Sequence, residues 1–247
     1  MRKRTLWASP VGIHCMNERQ SQLLKTLVRE YVDCAQPVSS SFLANRFSVS
    51  CSPATIRNEL ARLTGQGYVR KMYYSSGSVP TNKAYRFFVD EFLASENSEE
   101  CETQHSAFES YEQAMAFLAH RTFALSALID EDMNIAFDGV QELFSQPDFS
   151  TRDEYCQLAR LVDDIVNIRN ELFSELRDTP MRIRVAERGT LTCASDAFSS
   201  MTGSVRAGNN RDAVFFVIGP VRMPYERNWK TFQLVKRCLS RSAFSLN

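Results

Sequence analysis

The stretch Ser52-Pro-Ala-Thr-Ile-Arg-Asn-Glu-Leu60 carries strong start signals for a helix. The Ser52 hydroxyl can accept a hydrogen bond from a free N–H of the first turn, and Pro53 fits the first helical position, where its missing N–H costs nothing. Apolar residues then recur every three or four positions until Gly65. The opposite face carries small and polar side chains, so one side of this helix is predicted to be buried and the other exposed.

Two shorter helical patterns precede this helix. Asn17, followed three residues later by Gln20, is typical of a capping box and predicts a helix over about 18–33. After the break at Gln36-Pro37, Ser39 is predicted to cap a second, short helix. The side chains predicted to face inward from that helix are Phe42, Leu43 and Phe47.

A hairpin is predicted after the third helix. Residues 68–74 are rich in strand-forming side chains, residues 75–78 read Ser-Ser-Gly-Ser, and Val79-Pro80 returns along the first strand. Thr81 is predicted to cap a helix that leads out of this module. Three helices and a hairpin predict a winged helix, a helix-turn-helix variant whose third helix lies in the DNA major groove.

The charge of the chain is divided, although its net value is zero. Residues 1–90 contain 13 basic and 5 acidic side chains, whereas residues 91–247 contain 16 and 24. A basic part joined to an acidic part indicates a polyanion-binding module followed by a second domain. The predicted organisation is a basic arm (1–15), a winged-helix domain (16–94), an acidic linker (95–103) and a further domain (104–247).

The exposed face of the third helix is predicted to contact base edges. Arg57 can read a guanine and Asn58 an adenine, while Ser52 and the free N–H groups at the helix start suit a phosphate. Arg62, Arg70, Lys71 and Lys83 are predicted to contact phosphates. The full predicted set is Ser40, Ser52, Ala54, Thr55, Arg57, Asn58, Arg62, Arg70, Lys71, Ser76, Gly77 and Lys83. The residues leave open that this winged helix binds a protein surface instead of DNA.

The second domain is predicted to be of the α+β class. Helices are expected over 104–146 and 151–177, strands over 182–186 and 213–218, and a last helix over 225–240. The apolar stripe of the second of these helices is wider than one core contact requires. It is compatible with a dimer seam and equally with a buried helix of a monomer.

Several function classes lack their sequence signals. The seven cysteines are scattered without a Cys-x-x-Cys pair, which predicts reduced thiols, a cytoplasmic protein and no bound metal. No apolar run approaches the length of a membrane span, so no membrane partner is expected. No phosphate-binding glycine loop, nucleophile elbow or zinc-protease motif is present, so we expect neither an enzyme nor a cofactor.

Two segments at opposite ends of the chain resemble one family. The segments from Met16 through "SPATIRNEL" to "SSGSVPTNKAYRFFVDEF", and "IGPVRMPY" at 218–225, resemble the bacterial heat-inducible transcription repressors of the HrcA family. The second segment corresponds to that family's Gly-Pro-x-Arg-Met-x-Tyr motif, here Gly219, Pro220, Arg222, Met223 and Tyr225. It is compatible with a ligand pocket, and more simply with a buried strand end whose Arg222 and Tyr225 anchor the next helix.

The resemblance implies a function and its partners. It implies a homodimer that binds the CIRCE inverted repeat upstream of chaperone operons as a repressor, a GAF-like C-terminal domain with an inserted dimerising segment, and activation by a GroEL-type chaperonin. Such a protein resides in the cytoplasm, on the nucleoid when it is bound to DNA. Two departures stand out. Ser78 replaces an arginine usual in the wing, and the central region is short, which puts dimerisation by the usual route in question. The residues alone also permit a regulator with altered or lost operator specificity, or one whose GAF-like domain senses a small ligand.

Overall fold

A computed structural model describes residues 16–46, 52–72, 77–96, 108–148, 151–167, 169–178, 181–186, 197–206 and 211–241. The predicted basic arm, Phe47, the turn before Ser52, Ser76 and most of the predicted acidic linker lie outside the described residues.

The N-terminal module contains the three predicted helices and the hairpin strands. Its elements are α1 (Glu18–Cys34), α2 (Ser40–Arg46), α3 (Pro53–Gly65), β1 (Val69–Lys71), β2 (Ser78–Pro80) and α4 (Asn82–Ser95). β1 and β2 pair antiparallel, and the backbone of Ser78 also exchanges hydrogen bonds of 2.7 and 3.0 Å with Val38 ahead of α2. The predicted stripe of α3 is buried as Ile56, Leu60 and Leu63. These side chains hold α3 against α1, because Leu23, Leu24 and Leu27 belong to the same core.

Three local predictions in this module are wrong. Asn17 caps α1 by accepting from the Gln20 N–H, but the Gln20 side chain does not complete a capping box, because it donates to Glu59 on α3. Phe42 is 43% exposed rather than inward. Its ring lies beneath the Arg46 guanidinium, 5.6 Å from centroid to Cζ. Thr81 occupies the N-cap position of α4, but its hydroxyl donates to the Gly67 and Tyr68 carbonyls and accepts nothing from the helix.

The second part of the chain builds a five-stranded antiparallel sheet between helices. Its elements are α5 (Tyr111–Thr122), β3 (Leu125–Asp130), β4 (Ile135–Asp138), α6 (Val140–Phe144), α7 (Arg152–Asn167), α8 (Arg169–Leu176), β5 (Arg182–Val185), β6 (Phe198–Arg206), β7 (Asp212–Pro220) and α9 (Tyr225–Arg241). The strand order is β4-β3-β7-β6-β5. The predicted α+β class, the strands β5 and β7 and the helix α9 are confirmed.

The predicted helix over 104–146 is wrong where β3 and β4 form, although α6 within the same range is helical. α5 ends at Thr122, where Phe123 takes a left-handed conformation with φ of 51°, and the chain then enters β3. Every residue of β3 is buried. A run of this kind has no face periodicity that separates a strand from a buried helix. Its antiparallel pairing with the apolar strand β7 decides the conformation.

The two faces of the sheet pack against different partners. One face and helices α5 and α9 form a core that is continuous with the N-terminal module, through residues such as Phe88, Tyr85 and Tyr225. The other face packs against α6, α7 and α8 through a second core around Phe216 and Leu176. Among the described helices, none combines the length and the apolar character that crossing a bilayer requires.

Candidate nucleic-acid interface

Helix α3 presents the predicted polar face to solvent. Ala54, Arg57 and Asn58 are exposed and Thr55 is half-buried, while the apolar residues of α3 face the core. Ser40 is half-buried at the start of the neighbouring helix α2. The structure therefore places the predicted base-reading side chains together on one accessible surface.

The predicted N-cap of α3 is confirmed. The Ser52 Oγ accepts from the Thr55 N–H at 3.2 Å and lies 3.0 Å from the Thr55 hydroxyl, and Pro53 occupies the first helical position. This arrangement uses one of the free N–H groups of the helix start. The remaining ones lie at the positive end of the helix dipole, where an anion is stabilised.

The predicted phosphate-contacting cations divide into two groups. Arg57, Arg70 and Lys71 are exposed, and none of their side chains forms a hydrogen bond or ion pair with another described residue. The Lys83 ammonium instead donates to the Gln66 carbonyl at 2.9 Å and lies 4.3 Å from the Tyr68 ring centroid. Lys83 is thus held by the protein, which leaves it less free to follow a phosphate than the first three.

Arg62 is connected to a buried carboxylate. Its Nη1 lies 3.3 Å from Glu59 Oε1, while the other oxygen of Glu59 accepts from Gln20 on α1 at 2.8 Å. Glu59 is buried, whereas the Arg62 side chain remains largely exposed. The pair ties α3 to α1 and holds Arg62 at the edge of the exposed face. The sequence gives no signal for the role of Glu59, since an acidic residue one turn before an arginine is also common on solvated helices.

Gly77 has a structural role in the hairpin. A Cβ on Gly77 would lie 2.6 Å from the carbonyl carbon and oxygen of Pro37 and 2.7 Å from the carbonyl carbon of Val38. Only a glycine lets the hairpin approach that backbone. The next residue, Ser78, is buried in β2. The position at which the resemblance expects an exposed arginine is therefore a packed one in this chain.

The motif from Gly219 to Tyr225 lies where the two parts of the molecule meet. β7 ends at Pro220, and Met223 and Tyr225 are buried. The Tyr225 hydroxyl donates to the Val221 carbonyl at 2.6 Å and lies 2.8 Å from the Ser199 hydroxyl. Burial raises the pKa of the Tyr225 phenol, so it remains a neutral donor. These contacts anchor the start of α9, as the simpler interpretation of the motif expects.

Arg222 joins the end of β7 and the residues between α6 and α7 to helix α1. Its guanidinium contacts both Asp148 oxygens, with Nη2 at 2.8 Å from Oδ2, and Nη1 donates to the Val32 carbonyl at 2.5 Å. Only 12% of the Arg222 side chain and 27% of the Asp148 side chain are exposed. The carbonyl belongs to the last turn of α1. Arg222 therefore holds three segments that are distant in sequence.

Further contacts cross the same junction. Arg29 on α1 pairs with Glu226 on α9 at 2.7 Å, and Arg86 on α4 donates to the Val185 and Ala186 carbonyls at the end of β5. The Tyr85 hydroxyl is buried there without a partner, and burial raises its pKa. Sequence patterns do not indicate Arg29, Arg86 and Asp148, because their partners lie far away in the chain and only the tertiary structure brings them together.

No metal centre is apparent in the part of the chain that the structure describes, where no three His, Cys, Asp or Glu side chains cluster as ligands. The residues predicted to form sites lie in two places. One is the exposed face of α3 together with the hairpin, and the other is the buried junction around Arg222.

Comparison with known proteins identifies the family. The model of the HrcA protein C-terminal domain matches residues 82–228, which is more than half of the chain. The chain belongs to the HrcA family. The matched segment begins at α4 and includes the Arg222 junction, so the suspected family is confirmed over the domain whose sequence resemblance was weakest.

Two individual proteins extend this comparison. The heat-inducible transcription repressor HrcA of Natranaerobius thermophilus is 44% identical over 78 residues, which are 32% of this chain and 23% of that relative. A crystal structure of a hypothetical protein shares 17% identity and a TM-score of 0.71, and the match covers 91% of this chain and 98% of that one. The second match shows that this HrcA-family chain shares the α+β fold of that protein.

Proposed function

We propose that this HrcA-family protein is a transcriptional repressor that binds double-stranded DNA through α3. The observation that carries the proposal is the exposed α3 face, on which the Arg57 side chain has no partner among the described residues, as is also true of the Arg70 and Lys71 side chains on the adjacent strand β1. Unpaired cations beside a helix with short polar side chains suit phosphates and base edges. The name of the Natranaerobius thermophilus relative supports regulation of heat-inducible genes.

The arrangement of elements supports a winged helix. α3 follows two packed helices, and β1 and β2 form the hairpin that would be the wing. In this proposal α3 enters the major groove, with Arg57 and Asn58 at base edges and Ser52, Thr55 and Ser40 near the phosphates. Ala54 lets the backbone come close. Arg62, Arg70 and Lys71 then contact phosphates, Lys83 and Gly77 support the hairpin, and Ser76 remains in the proposed set of DNA contacts.

The second domain is proposed to be GAF-like and to serve dimerisation and control. A five-stranded antiparallel sheet covered on both faces supports that expectation. Helix α7 supports a homodimer, because among its described apolar side chains Ile165 is buried, Leu161 and Val162 are half-buried, and Tyr155 is 39% exposed. A dimer suits an inverted repeat of the CIRCE type, since the two-fold symmetry of the protein matches the two-fold symmetry of the repeat. A GroEL-type chaperonin is the proposed partner that maintains the active state in the cytoplasm.

The experiment is a fluorescence-anisotropy titration of a duplex carrying the CIRCE-type repeat and of a scrambled duplex, at two salt concentrations, with and without chaperonin. We expect tighter, salt-sensitive binding to the repeat, because phosphate contacts release counterions, and a gain in affinity with chaperonin. Equal and weak binding to both duplexes would favour a protein-interaction module instead.

Substitutions separate base reading from phosphate contacts. Arg57→Ala is expected to remove about 1–3 kcal/mol of discrimination between the repeat and the scrambled duplex. Lys71→Ala is expected to weaken binding to both duplexes alike. It should also lower the slope of log affinity against log salt concentration by about one. Lys83→Ala serves as the matched control, because its ammonium is already bound to Gln66 and Tyr68; we expect a smaller change of slope. Equal losses from Arg57→Ala on every sequence would contradict its assignment to base reading.

Two substitutions of Ser52 separate helix capping from DNA contact. Ser52→Ala removes the cap acceptor of Thr55 and is expected to lower the free energy of unfolding by about 1 kcal/mol. Ser52→Asp keeps an acceptor and places a negative charge at the helix start, so stability should be retained. The same charge faces the DNA in our proposal and should weaken binding at least tenfold. Unchanged DNA affinity of Ser52→Asp would place the start of α3 away from the phosphates.

A further inference from the structure

Two hydroxyl groups are buried without a partner in the middle of the second domain. Ser200 and Thr202 lie on β6, are 0% and 1% exposed, and neither hydroxyl forms a hydrogen bond with any residue that the structure describes. Folding removes such groups from water without replacing their hydrogen bonds, which is costly, and buried polar groups in native proteins are nearly always paired. Two orphans at alternate positions of one strand therefore indicate a missing partner.

Both hydroxyls point to the same face of the sheet as two arginines. Thr202 is paired with Arg182 on β5 and Ser200 with Arg184, and opposite residues of an antiparallel pair share a face. That face is the one covered by α8, because Arg184 contacts Glu175 of α8 and Phe198 of β6 packs in the core with Leu176.

The guanidinium groups of the two arginines have few hydrogen-bonding partners among the described residues. Arg184 is 18% exposed and its contact with Glu175 is long, at 3.4 Å. Arg182 is half-buried, and its guanidinium forms no hydrogen bond or ion pair with a described residue. Guanidinium and hydroxyl groups together match the donors that recognise a carboxylate or phosphate group. The neighbours on β7 are apolar, namely Phe216 opposite Thr202 and Ile218 opposite Ser200.

We propose that Arg182, Arg184, Ser200 and Thr202 form a binding site for the oxyanion of a small organic molecule, a carboxylate or a phosphate ester. The arginines bind the charged oxygens, and the hydroxyls donate to the same group. Its apolar part packs against Phe216 and Ile218. Glu175 occupies Arg184 while the oxyanion is absent, and its long contact is released on binding.

The site lies on a strand whose end the N-terminal module holds. Arg86 of α4 donates to the Val185 and Ala186 carbonyls at 2.9 and 2.8 Å, directly after the two arginines of β5. An occupied site is therefore expected to change DNA affinity at least threefold in the duplex titration. This consequence rests on the proposed function, whereas the binding experiment below uses no DNA, so the two can fail separately.

The test is thermal unfolding of the full chain with sodium phosphate or sodium acetate, each compared with sodium chloride at equal ionic strength. We expect at least one oxyanion to raise the unfolding midpoint by about 2 °C or more, increasing with concentration, because a ligand that binds only the folded state stabilises it. A response to phosphate alone indicates a phosphate ester, one to acetate alone a carboxylate. No response to either overturns the proposal.

Three variants locate the response. Thr202→Val keeps the side-chain shape and removes an unpaired hydroxyl, so its midpoint without oxyanion should be equal or higher, and the oxyanion response should vanish. Arg184→Gln should also abolish the response. Ser126→Ala is the matched control, because the Ser126 hydroxyl is buried but donates to the Met115 carbonyl at 2.7 Å; its midpoint should fall while the response remains. A response that persists in both Thr202→Val and Arg184→Gln would place the anion elsewhere and overturn the site.

Discussion

Arg222→Met is expected to lower the free energy of unfolding by about 2–3 kcal/mol, as measured by urea denaturation. The substitution keeps the apolar stem but leaves the Asp148 carboxylate and the Val32 carbonyl without their shared donor. Removing one partner of a buried ion pair costs up to about 5 kcal/mol, and the partial exposure of Asp148 reduces that figure. Because the lost contacts join α1 to the second domain, DNA binding should weaken in the same variant.

Tyr85→Phe at the same junction is the matched control. The Tyr85 hydroxyl has no partner, so its removal should leave stability unchanged or slightly higher. Asp148→Asn combined with Arg222→Met should cost less than the sum of the single changes, since both remove one interaction. Additive losses, or a loss from Tyr85→Phe as large as that from Arg222→Met, would contradict the bridging role of Arg222.

Gly77→Ala is expected to destabilise the protein by about 2–3 kcal/mol and to abolish selective binding to the inverted repeat. The added Cβ would meet backbone atoms of Pro37 and Val38 at 2.6–2.7 Å, and backbone cannot rotate away as a side chain can. The hairpin must then separate from the segment before α2, which breaks the two hydrogen bonds between Val38 and Ser78. Thermal unfolding and the duplex titration measure the two effects.

Gly65→Ala is expected to change the stability of the protein in the opposite direction to Gly77→Ala. Gly65 is the last residue of α3, and a Cβ there would meet no atom within 4 Å. Alanine in a helix restricts the unfolded chain more than glycine does, so this variant should be more stable by about 0.5–1 kcal/mol. If Gly77→Ala were as stable as Gly65→Ala, the close approach of the hairpin to Pro37 would be wrong.

Local physical signals were sufficient for most of the N-terminal module. The Ser52 cap, the buried stripe of α3 and the start of α1 at Glu18 depend on hydrogen bonds and periodicity within a few residues, and the structure confirms them. The predictions that failed there involve partners from other elements. Gln20 reaches Glu59 on α3 instead of its own helix start, and the Thr81 hydroxyl reaches back to Gly67 and Tyr68.

Sequence reasoning was weakest in the sheet. The sequence predicts a helix where β3 forms, because a continuous apolar run fits both structures and only its pairing with β7 distinguishes them. β6 was missed because its Ser, Thr and Gly residues hide the pattern of a buried strand. Two of these polar residues, Ser200 and Thr202, form part of the proposed oxyanion site. The strand that the sequence pattern indicates least clearly is therefore the one on which that site is proposed.

The sequence by itself determined where the caps, the apolar stripes and the basic face of α3 lie, since these depend on neighbours within one or two turns. It also carried the family resemblance, through motifs that stand at the two ends of the chain. Only the tertiary structure decided which cations are free, which carboxylates are buried and which hydroxyls lack a partner. The physical reason is that hydrogen bonds and desolvation depend on atoms up to 197 residues apart in the chain, as between Arg29 and Glu226, and no local pattern encodes those distances.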